Sequence, residues 1–425
     1  MRATCDVRET RRLRAPDSVA CYDPRMILSR PRFALPCLLL LLATACSSTS
    51  TTPSGGTDDA GTDAAPSLGC GAGTVSETAV EIDPSGPDGQ IHAYAVPTGD
   101  GFFVVYNRPA EGSTSQSFAV YATKLGCDGK VLVPPVRVSE GDDNQIDPSA
   151  AWNGKNLVVV WSADTGKSPV NLELRTRVLD AAGKPLSAVR TASLVRKGKP
   201  NVGNAWMPEV VSGADGTWLV GAWGHDEAPA FQAFVQKLDP QGALAGEAED
   251  AALAPTTTQS SPAVAVDAQK RTILAWAEEP NQGNDPPATW VREGTSAPRK
   301  LVTGGGAPSL ATGASGTWLA AKGAVHLLGT EAHATLPTTY AQPAVAADET
   351  GALVVAYTAA QSRAPIRAVR VSSSGALGTE IDLGIASAAA YPLHLARVSD
   401  GVFLFAYQEG AGTKLRAKAR FLEAK

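Results

Sequence analysis

Histidine is nearly missing from this sequence, with five in 425 residues, at His92, His225, His326, His333 and His394. His326 and His333 stand seven apart with no acidic cluster beside them, which is not a metal-ligand spacing. No Gly-x-Ser-x-Gly elbow, phosphate-cradling glycine loop or Cys-x-x-Cys pair occurs either. Neither a metal nor a cofactor is therefore expected. Charge is thin as well, at 19% of residues, below the usual quarter or so. Long apolar runs are lacking, so no segment reaches the roughly 20 residues of a membrane-spanning helix.

Basic residues are scarce where nucleic acid would need them. The chain holds 37 Lys and Arg against 42 Asp and Glu, of which residues 1–45 take eight and four, leaving 29 against 38 in the remainder. An acidic body without a basic stripe excludes nucleic acid as a partner and electrostatic docking on anionic lipid.

What is abundant is turn chemistry and β-branched sequence. There are 41 Gly and 30 Pro. Short strand-like runs such as Leu157–Trp161 and Leu353–Tyr357 recur between them. No helical periodicity is sustained beyond the N-terminus, so the fold class is all-β.

The N-terminus carries an address. Residues 33–45 form an apolar segment preceded by Arg30 and Arg32, too short to span a bilayer and suited to a signal-peptide core. It ends Leu42-Ala-Thr-Ala-Cys46, which resembles a lipobox, with Ala43 in place of the usual larger apolar residue. That resemblance implies lipidation at Cys46 and a membrane partner reached through the lipid. Ser47 follows, where Asp would resemble an inner-membrane retention signal, so the outer membrane is the expected destination. Residues 1–25 are Arg-rich and patternless, and Met26 would begin a signal peptide of ordinary length. The expected organisation is a signal segment over 1–45, a Ser/Thr/Gly/Asp tether over 46–73 with almost nothing to bury, and a folded body over 74–425.

The body is a repeat. Seven segments share a pattern of Pro, small apolar residues, a Gly turn and a β-branched or aromatic run; they end at Tyr106, Trp161, Trp223, Trp276, Lys322, Tyr357 and Tyr407. The spacings are 55, 62, 53, 46, 35 and 50 residues, about the period of kelch-like propeller blades. A second hairpin follows each, as in Leu172–Leu179, Phe231–Leu238 and Ile366–Val371. Four strands per unit and seven units predict a seven-bladed β-propeller, which removes open sheet edges by radial closure. The fifth unit is short and ends in Lys322, so six regular blades plus a degenerate one is the alternative. The last unit stops at a third strand, Leu415–Leu422, and Val75–Ile82 is a spare strand able to close the ring. The layout resembles lipid-anchored β-propeller repeat proteins of Gram-negative soil bacteria, a likeness of architecture across residues 74–425. Two cysteines beyond the lipid site, Cys70 and Cys127, form an even pair in an oxidising compartment, and a disulfide is expected.

Candidate function collects on one face. In a propeller the hairpins joining strands 1–2 and 3–4 open on one side, and the 2–3 and inter-blade loops on the other. Here the first side has short Gly turns, while the second has long loops. Carboxylates follow the terminal aromatics at Asp164, Asp226, Glu278, Glu279 and Glu409, joined by Asp142 and Asp143 between blades, with Trp206 and His225 alongside. Such a rim suits a glycan, a cation or a basic protein partner. Alternatively each acid pairs with an Arg of its own blade, as Asp164 with Arg175 or Glu409 with Arg416. Ser212–Trp218 resembles the Asp box of sialidase propellers but departs from it, with Asp215 and Gly216 adjacent, and a tight hairpin turn already accounts for that pair. No catalytic constellation emerges. The expectation is a monomeric, non-catalytic binding or scaffold module, the alternative a carbohydrate-active enzyme using two of the rim acids.

Overall fold

The computed structural model describes Cys70 and residues 78–424, except 113–116, 165, 167–171, 193–204, 214–215, 225–230, 252–256, 280–285, 359–363 and 388–391. Cys46, the signal segment, most of the tether, His225 and Asp226 lie outside these residues, as do the side chains of Trp206 and Trp223. Among the described residues there is no α-helix, and the strands form seven four-stranded antiparallel sheets.

Each sheet is one blade. Six blades take their strands consecutively; their first strands are Ile91–Thr98, Asn144–Trp152, Trp206–Ser212, Thr258–Val266, Ser309–Gly313 and Ala341–Ala347. Blade 7 is composite. It consists of His394–Ser399, Val402–Glu409 and Arg416–Glu423, completed by Val80–Glu81 on its outer edge, with Val80 opposite Ala419 and Glu81 opposite Lys418. The closing strand is thus where the sequence placed it, and shorter in its ladder. Blade 5 is complete, with strands Ser309–Gly313, Gly316–Ala321, Ala324–Leu327 and His333–Thr335. It is short because Lys322 and Gly323 make a two-residue turn, so exposed Lys322 does not stand for an aromatic. The buried aromatic of that blade is Trp318 instead.

The core lies between blades. Seven apolar clusters each draw on two neighbouring sheets. Phe103, Val105 and Trp161 meet between blades 1 and 2; Phe403, Phe405 and Tyr357 meet between blades 6 and 7. The cluster with Tyr106, Phe102 and Phe421 crosses the seam between blades 1 and 7. Tyr106, Trp161, Trp276, Tyr357 and Tyr407 are all fully buried, each removing on the order of 150–250 Å² from water. These are the repeat-terminal aromatics, and they hold adjacent blades together.

Turns follow from local chemistry. Asp180 and Asp239 open the 3–4 hairpins of blades 2 and 3, and the Oδ1 of each accepts N–H bonds from residues two and four further on. The glycines three residues after them, Gly183 and Gly242, have φ of 75° and 79°, a conformation Gly adopts at little cost. Gly351 begins the second strand of blade 6, where a Cβ would lie 2.0 Å from the Val371 carbonyl oxygen. Cys127 sits in the 3–4 turn of blade 1 and is bonded to Cys70, with Cα atoms 5.3 Å apart. The expected disulfide is present, on the short-turn face.

Candidate functional site

One register position recurs in the first strands and builds the axial mouth. In blades 1, 2, 3, 4 and 6 the pairing of strands 1 and 2 slips at a bulge, and one residue there has positive φ: His92 (53°), Asp147 (51°), Met207 (49°), Ser261 (47°) and Gln342 (48°). Four of the five precede a proline, at Pro148, Pro208, Pro262 and Pro343. A left-handed non-glycine residue costs on the order of 1–3 kcal/mol and persists only where its surroundings impose it. Here the neighbouring blade helps to impose it. The His92 N–H donates to Gln408 Oε1 of blade 7, and the Met207 N–H donates to Ser162 Oγ of blade 2.

All five strained residues line one cavity of about 240 Å³ on the long-loop face. Pro148, Pro208, Pro262, Pro308, Pro343 and Pro392 join them, giving a rigid, mostly apolar collar from all seven blades. A second cavity, of about 280 Å³, follows the first strands of blades 3 to 7 further along and is lined largely by Val, Leu and Ala. Carboxyl, imidazole and phenol groups converge at the first, while Ser212, Thr312 and Arg397 are the polar members of the second.

His92, Asp147, Ser261 and Gln342 are bulge residues; the other polar groups come from the residue at which pairing resumes after the bulge, or begins in blades 5 and 7. Around the ring that position reads Tyr94, Ser149, Glu209, Ala263, Ser309, Ala344, His394. The small members are structural. Ser149 Oγ accepts the Val210 N–H of the next blade, and Ser309 Oγ accepts that of Val345. His394 Nδ1 does the same for Ala95, which fixes the ring as an acceptor there. Burial pushes its pKa down to about 3, so it is neutral.

Tyr94 packs on the His394 ring, with centroids 3.5 Å apart, and its hydroxyl donates to Glu209 Oε1 at 3.4 Å. Burial raises the Tyr94 pKa well above the phenol range, and Glu209 beside it adds to that. Glu209 is half-buried, and burial lifts its carboxyl to about 7, with the Tyr94 hydrogen bond pulling the other way. Opposite, His92 Nδ1 lies 2.8 Å from Asp147 Oδ1. Among the described residues no Lys or Arg lines this cavity. The arrangement therefore offers a neutral imidazole, a phenol, a protonatable carboxyl and a His–Asp pair against proline walls.

Among the described residues, none of the rim positions singled out in the sequence lines the cavity; His225 and Asp226 lie outside the described residues. Asp143 pairs with Arg175 at 2.6 Å, and Glu173 takes the same guanidinium at 2.7 Å. Asp164 instead accepts the Gly166 N–H at 3.0 Å, so the expected Asp164–Arg175 pair is replaced by partners on the same blade. Glu409 pairs with Lys418, while Arg416 reaches Glu81 and Asp88 of the closing segment, each at 3.5 Å. Glu409 does stand opposite Arg416 in the ladder, but the closing strand competes for that guanidinium. Asp142 and Glu279 are exposed, and Glu278 is the last residue but one of the second strand of blade 4, opposite Gln259. Trp206 has its backbone in the first strand of blade 3, paired with Trp223. His326 and His333 face each other across a hairpin with rings 5.5 Å apart. Among the described residues no three potential metal ligands converge.

Similarity to known proteins is confined to structure. No family model matches the sequence, and no curated protein matches it. A protein of unknown function from Dyadobacter fermentans superposes with a TM-score of 0.52 at 11% identity, covering 82% of this chain and 98% of that one. The Hadza microbial sialidase Hz136 gives 0.52 at 12% identity, over 79% of this chain and 66% of that one. An α-L-arabinofuranosidase from Fusarium graminearum gives 0.47 at 12% identity, over 81% and 97%. The likeness is one of fold. The superposition with the sialidase shows a shared fold at low identity and carries none of its chemistry across.

Proposed function

We propose that this chain is an exported outer-membrane lipoprotein, acylated at Cys46, whose propeller binds a small neutral molecule rich in hydroxyl or ether oxygens at its axial mouth. The observation that carries the binding reading is the cavity between the bulged first strands. It combines proline faces, which suit a compact ring, with the Tyr94, Glu209, His92 and Asp147 side chains, which suit oxygens. About 240 Å³ lies just below the roughly 300–1,000 Å³ of common ligand pockets and suits one sugar-sized ring. An anionic sugar would meet no guanidinium or ammonium among the described lining residues, and charged ligands need such a partner. The lipid anchor is supported by the lipobox resemblance and the short apolar segment before it.

The test is calorimetry of the full chain against D-xylose, L-arabinose, D-glucose, D-galactose and myo-inositol, with N-acetylneuraminic acid as the anionic comparison. Binding of at least one neutral compound, abolished by Ala307→Trp in the cavity wall, is expected. Binding of the anion alone, or binding unaffected by Ala307→Trp, contradicts the reading. Cys46→Ser should abolish palmitate labelling in cells, and retained labelling would remove the anchor.

A second reading is favoured by one observation: two carboxylates, Asp147 and Glu209, line the same cavity. Glycoside hydrolysis employs such a pair, one protonated and one ionised. Turnover of neutral aryl-glycosides by purified protein, lost in both Asp147→Asn and Glu209→Gln, would establish it over simple binding.

A further inference from the structure

We propose that Glu209 is the specificity-determining group of the axial mouth, and that it holds its ligand by donating the carboxyl proton to a neutral acceptor oxygen. This rests on the binding reading above and adds which atom does the recognising and in which protonation state.

The ring position itself supplies the first argument. Six of its seven occupants are accounted for by packing: Ala263 and Ala344 are buried, Ser149, Ser309 and His394 accept an N–H of the following blade, and Tyr94 packs on His394. Glu209 is the remaining one. Its carboxyl lines the cavity, with Tyr94 on one oxygen.

Burial favours the neutral acid, and the Tyr94 hydrogen bond, which pulls the other way, does not outweigh it. Tyr94 from blade 1 is an un-ionised phenol. His394 from blade 7 is uncharged, and its Nδ1 is committed to the Ala95 N–H. His92 from blade 1 is engaged with Asp147 from blade 2. Ser149 is occupied by Val210. No ammonium or guanidinium among the described lining residues offsets a negative charge on Glu209, and a carboxyl placed so keeps its proton into the neutral range. Its value of about 7 agrees. A protonated carboxyl is a strong O–H donor. The oxygen it meets must be an acceptor, such as a ring, glycosidic or hydroxyl oxygen. A carboxylate ligand is held only at the cost of a second unpaired charge once Glu209 ionises.

The experiment is the same sugar panel titrated into full-length wild-type protein, Glu209→Gln and Glu209→Ala at pH 5.5 and pH 8.5. Near-UV circular dichroism of each variant checks the fold. For wild type, affinity should fall about 30-fold between the two pH values, following the loss of the protonated fraction. Glutamine keeps a donor at both pH values, so that variant should bind with little pH dependence, and the alanine variant should lose binding at both. Wild-type affinity that is flat or rises with pH, or a glutamine variant as weak as alanine, overturns the proposal while leaving the cavity a binding site. Binding of no panel member at either pH overturns both.

Discussion

At the scale of single residues, Glu209 makes its own prediction for stability, independent of any ligand. Its carboxyl titrates near 4.5 when solvated and near 7 in the fold. Below about pH 4.5 both states hold the proton and the site costs nothing. As pH rises from 4.5 to 7 the unfolded chain releases its proton before the native one, so native stability falls through that window and levels off above it. The loss is on the order of 3 kcal/mol. Glu209→Gln should therefore be more stable than wild type at pH 8 and indistinguishable near pH 4, by guanidinium melts at both. A gap that is the same at both pH values would show that the substitution acts through packing instead. The site was hard to see in the sequence for a reason visible at this scale. Glu209 and His394 stand where Ser or Ala is structurally sufficient, with nothing local to mark them. Aligning the residue after each first-strand proline would have shown Ser149, Glu209, Ala263, Ser309 and Ala344 as one column, with Glu209 out of character. The rim acids stood out in the sequence because their strands end in solvent, where Asp143 and Glu409 find ordinary cationic partners.

At the scale of the element, the bulged first strand stores strain that a single substitution can release. Met207 has φ of 49° and is 42% exposed, so only part of its packing is lost with its side chain. Met207→Gly should stabilise the protein by up to about 1 kcal/mol, because glycine adopts that conformation freely. Met207→Ile should destabilise it by about 1–2 kcal/mol, since a branched Cβ suffers most there. Chemical denaturation of the pair checks this, and equal midpoints would mean the bulge relaxes at no cost. The strands themselves were legible because their apolar runs end in aromatics that lock blade to blade. Boundaries were less so: among the described residues the ladder of the closing segment spans Val80–Glu81, and that of the fourth strand of blade 2 spans Arg190–Thr191, because outermost strands answer to one neighbour and carry few core residues to fix their length.

For the whole molecule, closure is the weak point that the sequence announced and the structure reinforces. Beyond the two-residue ladder, Asp83 is fully buried against Arg108, whose guanidinium stacks on Tyr121 at 3.7 Å, and Tyr106 donates to the same carboxylate. Asp83→Ala would leave a buried guanidinium short of its counter-charge, at about 3–5 kcal/mol. It should lower the melting temperature far more than Glu81→Ala on the outer edge, where the ion pair with Arg416 is partly exposed. Comparable losses from the two would mean that the seam is held by strand pairing alone.

The disulfide has a mechanical consequence. Cys70 is bonded into blade 1, while Val80–Glu81, ten residues later, is the strand that zips onto blade 7. Tension pulled through the N-terminal side of the chain therefore enters the propeller at Cys127 and bypasses the closing strand, which lies inside the covalent loop and carries no load. In optical-tweezers pulling from the two termini, the oxidised protein should open in one high-force event. The reduced protein, or a Cys127→Ser variant, should first peel the closing segment at low force, because a ladder of two residue pairs is then in series with the pull. An early low-force step in the oxidised protein would refute this. The bridge turns the seam of the ring from the first part to feel a tug into one of the last.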